Sequence, residues 1–576
     1  MCGIAGIYGT SDRNIIGNMT ASLKHRGPDG ENIVVTARHS LGATRLALVG
    51  GEKAAIPFFN QGVYILLNGE IYNYKDLREK LARAGYLFKT DGEAEVISAL
   101  YKKYGRFFAG YLEGMFAIAI LDDDKLILTR DHYGIKPLFY FQDGRKLAFA
   151  SEVKSLFRYP NFTFSLNQSA MEEVALFGFI HSTSKTLFQN IVQVEPGEVV
   201  EFVDAVLIKE KYQTPEVISD KLDYSAAVQA IQAVFCESME KMWFHGRGEK
   251  GIYLSGGIDS TLEVLLAKEL VIEPVNTFTL YESPDSDDYH YASLVARLTG
   301  AKHHEFLVGE EDYWAELPHL VFHYESPMMG GVFDIQGALA FHILSRRVAE
   351  HVRIAFSGEG ADELFGGYRW IHAHPLGFSD RIRERIKRIK VGLQTNALVD
   401  SLFPLPEDER LYRKNVYDFL LCPGLANYHL WSVDRSCSAF GFEVRPFYLY
   451  NQIARFAENL PMEFKVPDHC LTKRILRDAA WPLFSRWGLD AVLSREKRGM
   501  PAAIASIGER INEYLERAVS PRHISNHPYR EMLITPLEIF MFDLFYYIFF
   551  IRHADLPANF RLKEALASGE FEHMYD

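Results

Sequence analysis

The sequence has few cysteines, no long apolar run and no excess of positive charge. Its five cysteines are Cys2, Cys236, Cys422, Cys437 and Cys470. An odd number without CxxC spacing argues against both a disulfide framework and a zinc site. No charged segment with an apolar core follows Met1, so no secretory signal is predicted. We therefore expect a protein of the reducing cytoplasm.

The net charge of −13 argues against a nucleic-acid partner, because neutralising phosphates takes clustered lysine and arginine. The basic run RIRERIKRIK at 381–390 is short and interrupted, which is typical of a solvated helix face. The most apolar stretch, IFMFDLFYYIFFI at 539–551, is too short to span a bilayer and contains Asp543. It predicts a buried or partner-facing helix, so no membrane partner is expected.

The length of 576 residues predicts at least two domains. Residues 1–205 contain short β runs with turn signals and a few helical patterns, which predicts a mixed, sheet-rich first domain. Residues 206–225 are polar and predict a linker. In residues 226–576 the apolar strands KGIYLS, VNTFTL and VRIAFSG alternate with helices, which predicts a parallel sheet flanked by helices. From about residue 376 the pattern is mainly helical.

Cys2 directly follows the initiator methionine, so removal of Met1 would give one residue both a thiol and a free α-amine. The amine can take the thiol proton and produce the nucleophilic thiolate. The segment LNGE at 67–70 offers an oxyanion trap through the Asn68 amide and the Gly69 backbone N–H. Alone, Cys2 is more often a small buried residue, and Asn-Gly is more often a turn.

The segment GIYLSGGIDSTLEVLLAKEL reads as a strand, a glycine turn and a helix, which is typical of a phosphate-binding loop. It differs from the kinase and GTPase loop because no lysine follows the second glycine. A second glycine-rich acidic segment, SGEGADELFGGY at 357–368, also follows an apolar strand.

The first third of the chain resembles the glutaminase domain of class II glutamine amidotransferases, which are N-terminal nucleophile hydrolases. The matching segments are CGIAGIYG, HRGPDG, RLALVG, NGEIYNY, GMFAIAI and RDHYGIKPL. The resemblance implies an α+β domain with a layered αββα sandwich and Cys2 as nucleophile beside Asn68 and Gly69. It also implies that Arg45 binds the α-carboxylate of glutamine and that Glu70 helps bind its α-ammonium.

One departure from that family concerns the second anion for the ammonium. The family has an aspartate where this chain reads KTDGEAEVI. A gapless reading puts Glu93 there, whereas Asp91 is available if the loop is threaded differently. We favour Glu93 and leave Asp91 as the alternative.

The segment SGGIDS resembles the pyrophosphate loop of ATP pyrophosphatases, and with SGEGADELFGGY it resembles the asparagine synthetases. The resemblance implies an α/β domain and an ATP site formed by Leu254, Ser255, Gly256, Gly257, Asp259, Ser260, Ser357 and Gly358. It implies Asp259 and Asp362 as ligands of Mg²⁺.

Three further segments of the second domain match the synthetases. Glu359 resembles the acid/base group that takes a proton from ammonia, and Lys497 in REKRG resembles the residue that stabilises charge during adenylation. The segments 434–447 and 472–479 match family segments and are predicted to be mainly structural, with Glu443 and Arg445 forming a buried pair.

Together these domains imply that glutamine is hydrolysed at Cys2 and that ammonia passes internally to an acyl-adenylate made from ATP and a carboxylate. Aspartate is the favoured acceptor. A different carboxylate of specialised-metabolite or surface-polysaccharide biosynthesis is the alternative, because Leu449 replaces the family's usual aspartate and because YESPMMGGVFDIQG at 324–337 is long. Family members are often dimers, so a homodimer is a further expectation.

The rival functions each conflict with one of the two motif sets. Phosphoribosyl and hexosamine amidotransferases would lack SGGIDS, and a lactam or lasso-type ligase would typically lack the Cys2 nucleophile. A non-catalytic protein would be expected to lose one set, whereas both are present.

Overall fold

The computed structural model describes the chain except for ten short stretches. These are residues 52–54, 213–221, 328–334, 370–374, 404–415, 468–471, 496–504, 558–559, 572–573 and 575–576. Within the part described, no helix is both long enough and apolar enough to cross a membrane.

The N-terminal part of the chain contains two six-stranded antiparallel sheets. The first has the order β10-β8-β9-β1-β3-β2, and the second has the order β12-β11-β7-β6-β5-β4. Their strands are β1 Gly3–Tyr8, β2 Gly30–Val35, β3 Ser40–Arg45, β4 Phe58–Asn60, β5 Val63–Ile71, β6 Gly114–Asp122, β7 Lys125–Arg130, β8 Phe139–Asp143, β9 Lys146–Ala150, β10 Ile191–Gln193, β11 Glu198–Val203 and β12 Val206–Lys211.

The two sheets share one hydrophobic core, in which Ile4 and Leu41 of the first sheet join Leu66 and Ile118 of the second. Helices pack on both sheets. They are Arg13–Ala21, Tyr74–Arg83, Glu93–Tyr104, Val153–Leu156 and Gln168–Phe177, with 3-10 turns at Lys24–Arg26 and Gly105–Tyr111. This arrangement confirms the mixed, sheet-rich character predicted for the first domain.

The last strand of the second sheet lies in the stretch that the sequence assigns to the linker. Strand β12, Val206–Lys211, pairs along its whole length with β11, so that Val203 faces Val206 across the turn. The next described helix, Tyr224–Trp243, begins with an Asp223 side chain that accepts a hydrogen bond from the Ala226 amide. The paired strand therefore extends past residue 205 to Lys211.

The second part of the chain is built on a five-stranded parallel sheet, as predicted. Its order is β15-β14-β13-β16-β17. Its strands are β13 Lys250–Tyr253, β14 Asn276–Tyr281, β15 Lys302–Leu307, β16 Ile354–Ser357 and β17 Glu443–Pro446. The two glycine-rich segments directly follow β13 and β16, which are neighbours, so the topology brings both loops to one edge of the sheet.

Helices cover this sheet and make up most of the C-terminal region. Those associated with the sheet are Tyr224–Trp243, Ile258–Leu270, Asp287–Thr299, Glu310–Tyr324, Ile335–Val348 and Ala361–Phe365. Later helices are Pro375–Arg388, Leu393–Leu402, Leu430–Ala439, Asn451–Glu458, Met462–Lys465, Arg474–Arg486, Asp490–Ser494, Ala505–Ala518, Pro521–Asn526, Pro536–Tyr546 and Leu562–Ala567. Leu420–His429 and Tyr547–Ile551 are π-helical, and Phe447–Leu449 is a 3-10 turn.

The apolar stretch 539–551 is mostly buried, although Ile551 at its end is exposed, which confirms the prediction. It forms the end of helix Pro536–Tyr546 and the π turn that follows. The ring of Phe549 lies 5.5 Å from Phe188 and 6.1 Å from Phe157, both in the N-terminal part of the chain. The C-terminal helices thus pack against the first domain.

Candidate active site

Cys2 lies where the first strand begins, close to the end of a strand of the other sheet. Its backbone N–H donates a hydrogen bond to Asn68 Oδ1 at 3.2 Å, and Arg26 Nε donates to its carbonyl oxygen at 3.2 Å. Met1 is present and buried, with its amine 3.9 Å from Glu443 Oε2. Burial raises the pKa of the Cys2 thiol, while the nearby terminal ammonium and a hydrogen bond from the Leu46 amide lower it.

Asn68 and Gly69 lie together on strand β5, as the oxyanion prediction requires. Asn68 is fully buried, and its Nδ2 atom donates to no described residue. A buried unpaired amide is costly, so Nδ2 is a donor available to a ligand. Gly69 has φ +134, and a Cβ there would lie 1.9 Å from the Met115 carbonyl oxygen, so only glycine fits.

Arg45 ends strand β3 and holds the loop that follows it. Its Nη2 atom donates to the carbonyl oxygens of Val49, Gly50 and Gly51 at 3.3, 3.4 and 3.1 Å. Burial raises the pKa of the Cys2 thiol, and the charge of the Arg45 guanidinium is among the smaller influences that lower it. This placement brings Arg45, Cys2 and Asn68 to one site.

The structure separates Glu93 from Asp91. Glu93 begins the helix Glu93–Tyr104 and is buried, with Oε1 accepting from the Ile71 amide at 2.6 Å. Asp91 is 94% exposed and pairs with Arg78 at 3.3 Å. Only Glu93 therefore lies beside Glu70, the other residue predicted to bind the ammonium.

His245, which sequence reasoning missed, lies between these two carboxylates. Its Nε2 is 2.6 Å from Glu70 Oε2 and 3.3 Å from Glu93 Oε1, and all three residues are buried. Burial opposes protonation of His245, but the hydrogen bonds that its ring N–H donates to both carboxylates outweigh it and raise its pKa to about 9. Burial and the charge of Glu70 raise the pKa of Glu93 to about 7. The pKa of Glu70 is lowered, because its hydrogen bond to His245 outweighs its burial.

The SGGIDS segment forms a tight turn from strand β13 into helix Ile258–Leu270. Leu254 through Gly257 form the turn, and the Ser255 amide donates to Ser260 Oγ at 3.2 Å. Gly256 has φ +68, and a Cβ there would lie 2.5 Å from the Ala292 amide nitrogen. The turn therefore presents backbone at the start of a helix, which is the arrangement that binds phosphate.

The second glycine-rich loop lies against the first. Ser357 ends strand β16, and a Cβ on Gly358 would lie 3.2 Å from Asp259 Cβ. Asp259 and Asp362 both contact one lysine, since Lys473 Nζ is 2.6 Å from Asp259 Oδ2 and 2.6 Å from Asp362 Oδ1. Lys473, from the segment 472–479 that is predicted to be mainly structural, therefore lies at the predicted metal pair.

Glu359 is part of a cluster that includes a second histidine missed in the sequence. Its Oε2 lies 3.4 Å from His429 Nδ1, and His429 Nε2 lies 3.5 Å from Glu363 Oε1. Burial lowers the pKa of His429, but the charge of Glu363 and the hydrogen bond to Glu359 raise it to about 8. His429 ends the π-helix Leu420–His429, which carries no motif signal.

Lys497 is predicted to act in adenylation, whereas Leu449 and the segment 324–337 are predicted to bear on the choice of acceptor. Lys497 and most of the long segment after Pro327 lie outside the described residues. Leu449 is buried and packs against the second loop. It approaches Gly360 so closely that a Cβ on this glycine would lie 2.6 Å from Leu449 Cδ2. An apolar side chain therefore lies against Gly360, which follows Glu359 in this loop.

Buried ion pairs connect the two halves of the chain. Arg26 Nη1 lies 2.9 Å from Asp434 Oδ2, and Arg435 Nη1 lies 3.1 Å from Glu152 Oε1. The predicted buried pair of Arg445 and Glu443 is confirmed at 2.9 Å. Since breaking a buried pair is costly, the pairs of Arg26 with Asp434 and of Arg435 with Glu152 hold the two halves together.

Two family profiles match the chain in succession. The profile described as glutamine amidotransferase domain matches residues 1–213, and the profile described as asparagine synthase matches residues 231–535. The chain is 28% identical to asparagine synthetase [glutamine-hydrolyzing] 1 of Bacillus subtilis, with 93% of each chain covered. It is 29% identical to asparagine synthetase [glutamine-hydrolyzing] 2 of Arabidopsis thaliana, covering 80% of this chain and 79% of that one.

Among solved structures, the allosteric regulatory enzyme of purine biosynthesis aligns with 53% of this chain and 80% of its own. The TM-score is 0.31 and the identity 16%, too low a likeness to add to the description of the fold. The asparagine synthase profile alone covers more than half of the 576 residues. The chain therefore belongs to the asparagine synthase family and is an ATP-dependent amide ligase that uses glutamine as its nitrogen donor.

Proposed function

We propose that this ligase converts aspartate to asparagine, with ammonia released from glutamine at Cys2 and aspartate activated by ATP. The observation that carries the proposal is the presence of two separate polar sites in one chain. One holds a thiol beside an unpaired buried amide, and the other holds two glycine-rich loops beside paired aspartates. The names of the relatives supply aspartate as the first acceptor to test.

In the glutaminase half, Cys2 acts as the nucleophile once Met1 has been removed. The freed α-amine takes the thiol proton, and the thiolate attacks the glutamine side-chain carbonyl. Asn68 Nδ2 and the Gly69 N–H stabilise the oxyanion, a contribution of about 3 kcal/mol per donor. Arg45 binds the α-carboxylate. The fold proposed for this half is the layered αββα sandwich of N-terminal nucleophile hydrolases, which the shared core of its two sheets supports.

In the synthetase half, the turn from Leu254 to Gly257 with Ser260, Ser357 and Gly358 binds the phosphates of ATP. Asp259 and Asp362 fit a magnesium ion, because their carboxylates already converge on one cation, Lys473 Nζ. Bound magnesium would neutralise phosphate charge during adenylation. Glu359 then accepts a proton from ammonia as it attacks the acyl-adenylate.

Ammonia must pass between the halves without meeting water, because free ammonia is mostly protonated at neutral pH. The buried pairs that join Arg26 to Asp434 and Arg435 to Glu152 support a fixed alignment of the two sites. The cytoplasm supplies all three substrates and is the proposed location. A homodimer remains an expectation.

A different carboxylate is the second candidate acceptor, and Leu449 favours it. The side chain is apolar and buried at the position where the family has an aspartate, and it touches the loop that carries Glu359. An acceptor that contacts Leu449 would carry an apolar group at a position where aspartate has no apolar group.

The proposal is tested by measuring glutamine-dependent AMP formation with a panel of carboxylates that includes aspartate. We expect aspartate to give the highest kcat/KM and stoichiometric asparagine. If another acid gives AMP and amide while aspartate gives neither, the mechanism stands and the acceptor is wrong. If no acid gives AMP, the ligase assignment itself fails.

A further inference from the structure

Two buried carboxylates lie side by side in the proposed glutamine site, and a side chain from the second half of the chain joins them. Glu70 and Glu93 are 5% and 7% exposed. Buried carboxylates this close repel each other, and burial alone favours their neutral forms. His245 contacts Oε2 of Glu70 and Oε1 of Glu93 through the same Nε2 atom.

We propose that His245 is a positioning residue of the glutamine site, whose imidazolium bridges Glu70 and Glu93 and leaves their other oxygens to bind the α-ammonium of glutamine. The inference deepens the proposed function and rests on it. The bridge uses one oxygen of each carboxylate, so Glu70 Oε1 and Glu93 Oε2 remain as acceptors. With one cation already present, the site has net charge −1 when both carboxylates are ionised, which one ammonium neutralises.

The backbone around His245 is fixed from both halves of the chain. Arg445 Nη1 donates to the carbonyl oxygens of Met242 and His245 at 2.6 and 2.8 Å, and the Arg247 amide donates to the Leu48 carbonyl at 2.9 Å. Leu48 belongs to the same segment as Arg45, which is proposed to bind the other end of the substrate's amino-acid group. The histidine therefore connects the glutamine pocket to the synthetase half.

The groups that face His245 define how it titrates. Besides Glu70 and Glu93, they are the guanidinium of Arg445, 3.9 Å from Glu70 Oε2, and the rings of Tyr72 and Tyr74, 5.1 and 5.7 Å away. Arg445 is itself paired with Glu443 at 2.9 Å. The carboxylates thus dominate, and with a pKa of about 9 the imidazole is charged at neutral pH.

The charge of His245 also controls the second carboxylate. Glu93 has a pKa of about 7, and removing the neighbouring positive charge would raise it further. Glutamine binding should therefore strengthen as the pH rises through about 7 in the natural chain. Without the imidazolium, the same rise should move to higher pH. A role limited to packing would leave this profile in place.

The test uses His245→Gln, which keeps a hydrogen-bond donor but removes the charge, and the exposed His553→Gln as a matched control. Binding of glutamine is measured by calorimetry between pH 6 and pH 8.5 in full-length Cys2→Ala protein, which binds without turnover. We expect the Kd for glutamine to rise about tenfold or more with His245→Gln, and the pH profile to shift upward. His553→Gln should change neither.

Rates in the Cys2-containing chain separate this inference from the proposed function. With His245→Gln, the KM for glutamine should rise while kcat and ammonia-dependent AMP formation stay within about threefold. Equal Kd values and an unshifted profile would overturn the positioning role alone. Glutamine binding without any glutamate release by the natural chain would overturn the proposed function alone.

Two further outcomes would also overturn the inference. If glutamine binds neither to the Cys2→Ala protein nor to the Cys2→Ala protein that also carries His245→Gln, glutamine is not the ligand of this site. The proposed role of the His245 bridge then fails as well. The three ligand atoms of Glu70, Glu93 and His245 lie within 4.8 Å of one another, a spacing that also suits a metal ion. If the purified protein contains one equivalent of metal and the His245→Gln variant contains none, the three residues form a metal centre and the proposed bridge is wrong.

Discussion

Lys473 binds the carboxylate of Asp259 through both oxygens, with its Nζ atom at 2.7 Å from Oδ1 and 2.6 Å from Oδ2. The same ammonium lies 2.6 Å from Asp362. The two residues predicted to hold magnesium thus already share a cation within the protein. A magnesium ion held by Asp259 and Asp362, as proposed, would share these carboxylates with Lys473.

Asp259→Asn should prevent adenylation, because it removes a charge that both Lys473 and the metal need. We expect pyrophosphate release to fall by about a hundredfold or more. Glutamate release from glutamine should continue, since Cys2 lies in the other half. Pyrophosphate is measured by a coupled assay with ammonia as nitrogen donor. Undiminished release would refute the assignment of Asp259 to the metal.

Cys2→Ala should separate the two activities. Glutamine-dependent amide formation should fall by at least about a thousandfold, because the nucleophile is lost. Ammonia-dependent synthesis should persist, since Asp259, Asp362 and Glu359 are untouched. Both rates are followed as AMP formation. Loss of both activities in a folded protein would contradict the division of labour between the halves.

Glu93→Gln and Asp91→Asn form a matched pair that decides which acid binds the glutamine ammonium. Glu93 is buried beside Glu70, whereas Asp91 is 94% exposed. We expect Glu93→Gln to raise the KM for glutamine about tenfold or more, since a charged hydrogen bond contributes about 1.5–3 kcal/mol. Asp91→Asn should leave KM within about twofold. If Asp91→Asn raises the KM for glutamine more than Glu93→Gln does, Asp91 is the residue that binds the ammonium, as the alternative threading of the loop would have it.

Local motifs predicted much of both sites. The NGE segment lies in the last residues of strand β5 and SGGIDS follows strand β13, so a short stretch of sequence fixes Asn68, Gly69 and the turn at Gly256. His245 and Lys473 could not be predicted this way, because they lie 175 residues from Glu70 and 214 residues from Asp259. Such contacts depend on how distant elements pack, which periodicity and spacing do not encode.

The alternative of Glu93 or Asp91 shows the same limit at short range. The two residues are two positions apart, and both are acidic. The helix that begins at Glu93 turns one side chain into the pocket, while Asp91 stays in the exposed turn before it. The position of the helix relative to Glu70 supports the proposal for Glu93, and the sequence alone leaves that position open.

Glu263 should make stability depend on pH in a measurable way. It is fully buried one turn after Asp259, and neither of its carboxylate oxygens has a hydrogen-bond partner among the described residues. Burial, and then the charges of Asp259 and Glu359, raise its pKa well above the usual value. The folded protein therefore keeps a proton that the unfolded chain releases above a pH of about 4.3.

The sign of the effect follows from proton binding. Since the folded state binds more protons above that pH, the free energy of unfolding falls as pH rises, by at most about 1.4 kcal/mol per pH unit. Glu263→Gln removes the titrating group, so the free energy of unfolding of the variant should not fall with rising pH for this reason. We expect the variant to have a higher Tm than the natural chain at pH 8, and a difference near zero at pH 4.5.

The exposed Glu240→Gln serves as the control and should change stability by less than about 0.5 kcal/mol at either pH. An equal shift at both pH values would mean that Glu263 affects packing only, and that its carboxyl is not held in the protonated form.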